Sequence, residues 1–140
     1  MEDVEEFQHD GKVLALLIRA SYRADGISFF TGPESSQQLG YMNRPAGYEV
    51  VPHWHRRVER SVEMTQEVLF IRRGRCRLDL YGGGDAVIHC TELQAGDVVL
   101  LSEGGHGLTM LEPTEIIEVK QGPYLAEEDK VRFSPRKPQA

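Results

Sequence analysis

Apolar and polar residues alternate along this chain in the pattern of short β-strands. The clearest case is the segment 75–81, in which Cys76, Leu78 and Leu80 alternate with charged residues. Glycine turns such as 82–85 separate these segments, which recur about every ten residues, as in a β-sandwich or barrel. The predicted strands are 12–20, 27–30, 48–55, 58–64, 68–72, 75–81, 87–93, 98–101, 106–111 and 116–120.

Length and composition indicate one all-β domain in residues 1–125, followed by a charged C-terminal tail in 126–140. The 16 basic and 22 acidic residues give a net charge of −6, which lacks the basic footprint of a nucleic-acid-binding protein. The longest apolar run, 13–18, is too short to cross a membrane. The chain has only two cysteines, which fits a reducing compartment. Its N-terminus is acidic, unlike that of a signal peptide, so we expect a cytoplasmic protein.

The first chemical signal is the pair His53-x-His55. On a β-strand, residues two apart point to the same side, with Cα atoms about 6.5–7 Å apart. Two imidazoles in this arrangement can bind one metal ion at about 2.0–2.2 Å each. Taken alone, the pair is equally compatible with surface histidines or with hydrogen-bonded core histidines.

A wider pattern surrounds the pair and has two parts. The first part reads Gly47-x5-His53-x-His55, a spacer, then Glu67-x6-Gly74. The second part reads Gly96-x5-Ser102-x-Gly104, then His106. This order resembles the two motifs of the cupin superfamily. The segments 104–107 and 118–124 are also similar to a group of small cupins that mostly lack an assigned activity.

The resemblance implies both a fold and a metal site. The fold would be a double-stranded β-helix, the jelly-roll barrel of cupins, with its metal motifs in residues 47–110. The matching positions imply metal ligands at His53, His55, Glu67 and His106. Imidazoles and a carboxylate suit one divalent transition metal, namely Fe, Mn, Ni, Co or Zn. Four such ligands would leave open positions on the ion, as a catalytic metal requires.

The chain departs from the cupin pattern in several places. Eleven residues separate His55 from Glu67, a longer interval than the family has. Glu59 lies at the shorter spacing, but the glycine that should follow it in the motif is missing, so Glu67 is the preferred ligand. Ser102 occupies the position of a proline in the motif, and Met110 that of an asparagine.

The expected function is that of a metal-dependent enzyme acting on a small, polar, anionic molecule, although the pattern identifies no catalytic residue. Arg60, in phase with Val58 and Val62, and Tyr41 are the candidate substrate-binding residues, because Arg suits carboxylates and phosphates. A solvated strand face is the alternative for Arg60. The resemblance also implies a homodimer.

Two other functional classes remain open from the sequence. One is a non-catalytic cupin that binds a small ligand. The other is a metal-free sugar-nucleotide isomerase or epimerase that uses a histidine as general base.

Overall fold

The computed structural model describes residues 3–136, which form antiparallel strands and a short 3₁₀-helix. The strands are β1 (Val4–His9), β2 (Lys12–Ile18), β3 (Gly26–Phe29), β4 (Gly40–Asn43), β5 (Glu67–Arg73), β6 (Arg75–Tyr81), β7 (Val87–Gln94), β8 (Val98–Leu101), β9 (Gly105–Met110) and β10 (Glu115–Lys120), and the helix is Ala126–Glu128. The predicted all-β class is therefore confirmed. No helix within residues 3–136 has the length and apolar character that a membrane crossing requires.

The described residues form two compact units. The first combines the stretch up to Tyr22 with the chain from Thr65 onward, and the second is Arg23–Met64.

The first unit consists of two sheets that share one core. Five strands form the first sheet, in the order β1-β2-β8-β5-β10, and three form the second, in the order β7-β6-β9. The core residues are Leu14, Ala15, Leu17, Leu69, Ile71, Cys76, Leu78, Leu80, Leu93, Val99 and Leu101. Because both sheets contribute to this apolar cluster, its burial holds them face to face.

The chain crosses between the two sheets at the β5–β6 turn, and this crossing depends on Gly74. Its φ is +91°, in the left-handed region that favours glycine. A Cβ at this position would lie 2.3 Å from the carbonyl oxygen of Pro113. Backbone geometry and space both require glycine here, which explains why the Glu67-x6-Gly74 spacing ends where it does.

The second unit contains the β3–β4 hairpin and a long irregular segment. In the loop of the hairpin, the amide of Gln38 donates hydrogen bonds to the carbonyl oxygens of Gly32 and Ser35, at 2.9 and 3.0 Å. The strands predicted at 48–55 and 58–64 are wrong, because the described structure has no regular element between Asn43 and Glu67. In the described residues the hairpin is a two-stranded sheet to which the alternating segments 48–55 and 58–64 add no strand, so their pattern is not accompanied by the backbone pairing that a strand needs.

Two strands were not predicted. β1 has an acidic sequence, but its Phe7 packs against the core of the first unit and its backbone pairs with β2. β4 is short and mostly exposed, and it exists as the partner of β3. The other predicted strands are confirmed, as β2, β3 and β5 to β10 with shifts of a few residues at their ends.

The charged tail is described as far as Arg136, and residues 137–140 lie outside the described part. It is exposed, as predicted, but it is held on the surface at two points. The ring of Phe133 packs edge-on against Tyr81, with centroids 5.0 Å apart. Arg136 donates a backbone hydrogen bond of 2.7 Å to Asp85 and forms an ion pair of 3.1 Å with its carboxylate.

A buried polar network closes one end of the core. Arg19, which follows β2, donates hydrogen bonds to the carboxylates of Asp97 and Glu5, the Glu92 carbonyl and the Thr91 hydroxyl, at 3.2, 2.8, 2.6 and 2.9 Å. The fully buried Asp97 also accepts backbone hydrogen bonds of 2.9 Å from Ala20 and from Gln94. The network thus joins β1, β2, β7 and the β7–β8 turn.

We predict that Asp97→Ala destabilises the protein by about 3–5 kcal/mol, because it removes the fully buried carboxylate that pairs with Arg19 and accepts two backbone hydrogen bonds. Urea denaturation would measure the change. Glu92→Ala is the matched control, since its side chain pairs with Arg75 at the exposed surface, where an ion pair contributes about 0–1 kcal/mol. Equal losses in the two variants would contradict the structural role given to Asp97.

We also predict that Gly74→Ala lowers the free energy of unfolding by about 1–3 kcal/mol for the positive φ, with a further loss from the clash with Pro113. Gly83→Ala should be almost neutral, because nothing lies within 4 Å of a Cβ at that position. Chemical denaturation of both variants compares them, and a neutral Gly74→Ala would argue against the described turn.

Candidate functional site

Glu67 and His106 enter the space between the two sheets from opposite sides. Glu67 begins β5 and lies on the same face as the core residues Leu69 and Ile71, because strand residues two apart share a face. In β9, His106 pairs with Leu80, another core residue. The strand registers therefore place both side chains on the inner faces, where they form a polar end of the apolar core.

The two side chains are in direct contact. His106 Nε2 lies 3.4 Å from Glu67 Oε2, and the side chains are 36% and 13% exposed. Hydrogen bonding with His106 lowers the pKa of Glu67 below its ordinary value, which outweighs the opposing effect of burial. Glu67 is therefore a carboxylate at neutral pH, poised to accept a hydrogen bond or to bind a cation.

β10 contributes two more charged residues to this inner face. In the antiparallel register Lys120 pairs with Glu67, and Glu118 pairs with Leu69. Directly paired residues point to the same side of a sheet, so both side chains share the face of Glu67. The neighbouring side chain of Glu118 and the charge of Lys120 both help to lower the pKa of Glu67.

Ser102, which follows β8, forms hydrogen bonds close to Glu67 in the first unit. Its backbone amide donates a hydrogen bond of 2.8 Å to the carbonyl oxygen of Leu14. Its hydroxyl accepts a hydrogen bond of 3.1 Å from the side-chain amide of Gln66, the residue before Glu67. A proline at this position could not donate the first of these bonds, which explains the departure from the motif in this chain.

His53 and His55 lie in the irregular segment of the second unit. Their ring centroids are 5.2 Å apart and their planes are inclined at 74°. His53 Nδ1 lies 2.8 Å from the carbonyl oxygen of Val51, and since a carbonyl only accepts, Nδ1 carries the donated hydrogen. In the neutral ring, Nε2 then keeps its lone pair, the tautomer in which histidine binds metals.

The structure therefore brings the predicted residues together in two pairs. Glu67 contacts His106 in the first unit, and His53 contacts His55 in the second. Within residues 3–136, no group of three or more His, Cys, Asp or Glu side chains lies close enough to hold a metal ion. Of the candidate substrate-binding residues, Arg60 is exposed and Tyr41 is half-buried in β4, both in the second unit.

The distance between Glu67 and His106 is compatible with a shared metal ion. Two ligand atoms each about 2.1 Å from one ion are about 3.0 Å apart at a right angle, and about 3.4 Å apart at the tetrahedral angle. The observed separation is 3.4 Å. A carboxylate oxygen and an imidazole nitrogen are also suitable donors for first-row transition metals. The pair thus fits half of the predicted ligand set.

Sequence reasoning missed Lys120 and Glu118 as members of this site. Both lie in a segment that alternates apolar and charged residues, so strand periodicity could have found that they share one face. The choice between the inner and the outer face depends on the pairing with β5, which the sequence does not show.

Comparison with known protein families, with curated proteins and with solved structures finds no match. The candidate site is therefore argued from the residues and contacts of this chain alone.

We predict that ionised Glu67 stabilises the folded protein in a pH-dependent way. Its folded pKa lies below the ordinary carboxyl value of 4.5, so the stabilisation is present above that value and disappears as the pH falls through the lowered pKa. In the presence of a chelator, wild type should exceed Glu67→Gln in unfolding free energy at about pH 7, and the difference should shrink towards about pH 2. A difference that does not change with pH would contradict the lowered pKa.

Proposed function

We propose that the protein is a metal-dependent cupin, a double-stranded β-helix in which His53, His55, Glu67 and His106 bind one divalent transition metal ion. The observation that carries this proposal is the contact between Glu67 and His106, which come from facing sheets and lie at the spacing of two ligands of one ion. The first of the two cupin-like motifs implies His53 and His55 as the other two ligands.

The topology of the first unit supports the proposed fold. From β5 onward the chain passes from the five-stranded sheet to β6 and β7, then back to β8, across to β9 and back to β10. Repeated crossing between two facing antiparallel sheets is the pattern of a jelly roll. The same crossings deliver Glu67 and His106 from different sheets to one end of the core.

The chemistry of the residues supports a catalytic rather than a purely structural metal. Three imidazoles and one carboxylate would leave room on the ion for a substrate, and a bound ion of this kind polarises a carbonyl or phosphoryl oxygen. Glu67 provides the negative charge that neutralises part of the cation. His53, with Nδ1 held by the Val51 carbonyl, would bind the ion through Nε2. The proposed activity is conversion of a small, polar, anionic molecule.

We predict that Glu67→Ala and His53→Ala each lower the bound metal at least about tenfold, because each removes a direct ligand. Metal would be measured by inductively coupled plasma mass spectrometry on untagged protein, after reconstitution and removal of excess ions. His89→Ala is the control, since His89 donates its hydrogen bond to the Gln8 carbonyl and should not change the metal content. Unchanged metal in both ligand variants would exclude the proposed site.

A second candidate is favoured by the same contact. A histidine hydrogen-bonded to a carboxylate is the arrangement of a general base held in position by its partner, so His106 and Glu67 could act without a metal, as in a cupin-type isomerase or epimerase. The metal measurement separates the two: a wild-type protein that holds no metal after reconstitution would favour this second function.

A further inference from the structure

Lys120 is the basic residue of β10 that pairs directly with Glu67 of the candidate site. It ends β10, pairs with Glu67 of β5, and is half-buried on the inner face of the sheet. Its charge acts on Glu67, because it contributes to the lowered pKa of that carboxyl. The long side chain of lysine can reach beyond its own strand while its stem packs on apolar neighbours.

Within residues 3–136, the ammonium of Lys120 forms no ion pair, and Glu67 pairs instead with His106, at 3.4 Å. By contrast, the exposed Lys12 pairs with Glu103 at 3.6 Å. The hydrogen-bond donors of this half-buried ammonium are therefore not used by a described ion pair, and an anionic ligand would accept hydrogen bonds from them.

We propose that Lys120 binds the negatively charged group, a carboxylate or a phosphate, of the substrate that reacts beside Glu67 and His106. The inference rests on the proposed function and narrows its substrate class. Lys120 would determine specificity by supplying up to three hydrogen-bond donors and a full positive charge.

The other charged groups on this face are consistent with an anion. Glu67 of β5 pairs with Lys120, Glu118 lies on the same face of β10, and His106 of β9 contacts Glu67. With a divalent ion bound as proposed, the positive charge of the ion and of Lys120 exceeds the negative charge of the two carboxylates. The ligand that balances the excess is negatively charged.

The test compares the binding of two probe anions, pyruvate and inorganic phosphate, to the metal-reconstituted protein. Thermal shift and calorimetric titration would be applied to wild type, Lys120→Met, Lys120→Arg and the surface control Lys12→Met. We expect one of the anions to stabilise wild type and Lys12→Met equally. Lys120→Met should bind it at least about tenfold more weakly, because a hydrogen bond to a charged group is lost. Lys120→Arg should retain most of the affinity, since it keeps the charge.

A labelling experiment tests the same inference on the wild-type protein, so that it does not depend on whether a variant folds. Reductive methylation with and without the anion, followed by peptide mass spectrometry, should show protection of Lys120 but not of Lys12 or Lys130. Which anion protects Lys120 distinguishes a carboxylate substrate from a phosphorylated one.

Two results would overturn the role of Lys120: equal affinity in Lys120→Met and wild type, or no binding and no protection with either anion. The metal content of every preparation is measured in parallel. Wild type that holds no metal but still shows Lys120-dependent anion binding would overturn the metal site alone. Metal that is retained in Lys120→Met together with unchanged anion affinity would overturn the inference alone.

Discussion

The buried ion pair of Arg19 and Asp97 fixes the arrangement of the first unit. Arg19 lies at the end of β2 and Asp97 in the turn between β7 and β8, so the pair joins the strand ends of both sheets. An ion pair in the interior is stabilising only when its remaining donors and acceptors are also satisfied. Here Thr91, the Glu92 carbonyl and the amides of Ala20 and Gln94 satisfy them. The geometry of this end therefore has little freedom to change.

At the opposite end of the same core, near Glu67, the polar groups are less completely paired. Along β5, Glu67 and Ile71 are about 13 Å apart at the usual rise per residue, and Ile71 hydrogen-bonds to the backbone of the Asp97 turn. The Arg19 end is closed, and its polar groups are paired. The Glu67 end contains a carboxylate with a lowered pKa, a partly exposed histidine and a lysine that forms no ion pair with the described part of the chain. Charged groups held in a part-buried setting with incomplete pairing are typical of functional sites.

The sequence predicted those parts of the structure that depend on local rules. Glycine turns and alternating patterns located most strands of the first unit, because backbone conformation at Gly74 and one-sided burial leave a local signature. The same rules failed where strand formation depends on a pairing partner. The alternating segment 58–64 forms no strand. The acidic β1 forms one, because its backbone pairs with β2. Glu67 and His106 were predicted from a motif, and the structure brings them into contact. The position of Lys120 could not be predicted, because it depends on the pairing of β10 with β5, which no local sequence pattern shows.

That register depends on one irregularity between β5 and β10. Glu115 pairs with Arg73, but Ile116 pairs with Ile71, so Arg72 has no partner in β10. Without this bulge, every later residue of β10 would pair one position further along and point to the other face. Ile116 would then leave the core, and Lys120 would point away from Glu67. Packing of Ile116 against the core therefore favours the register that places Lys120 beside Glu67. The hydrophobic contact of Ile116 near the start of β10 thus determines the position of the Lys120 charge at its end.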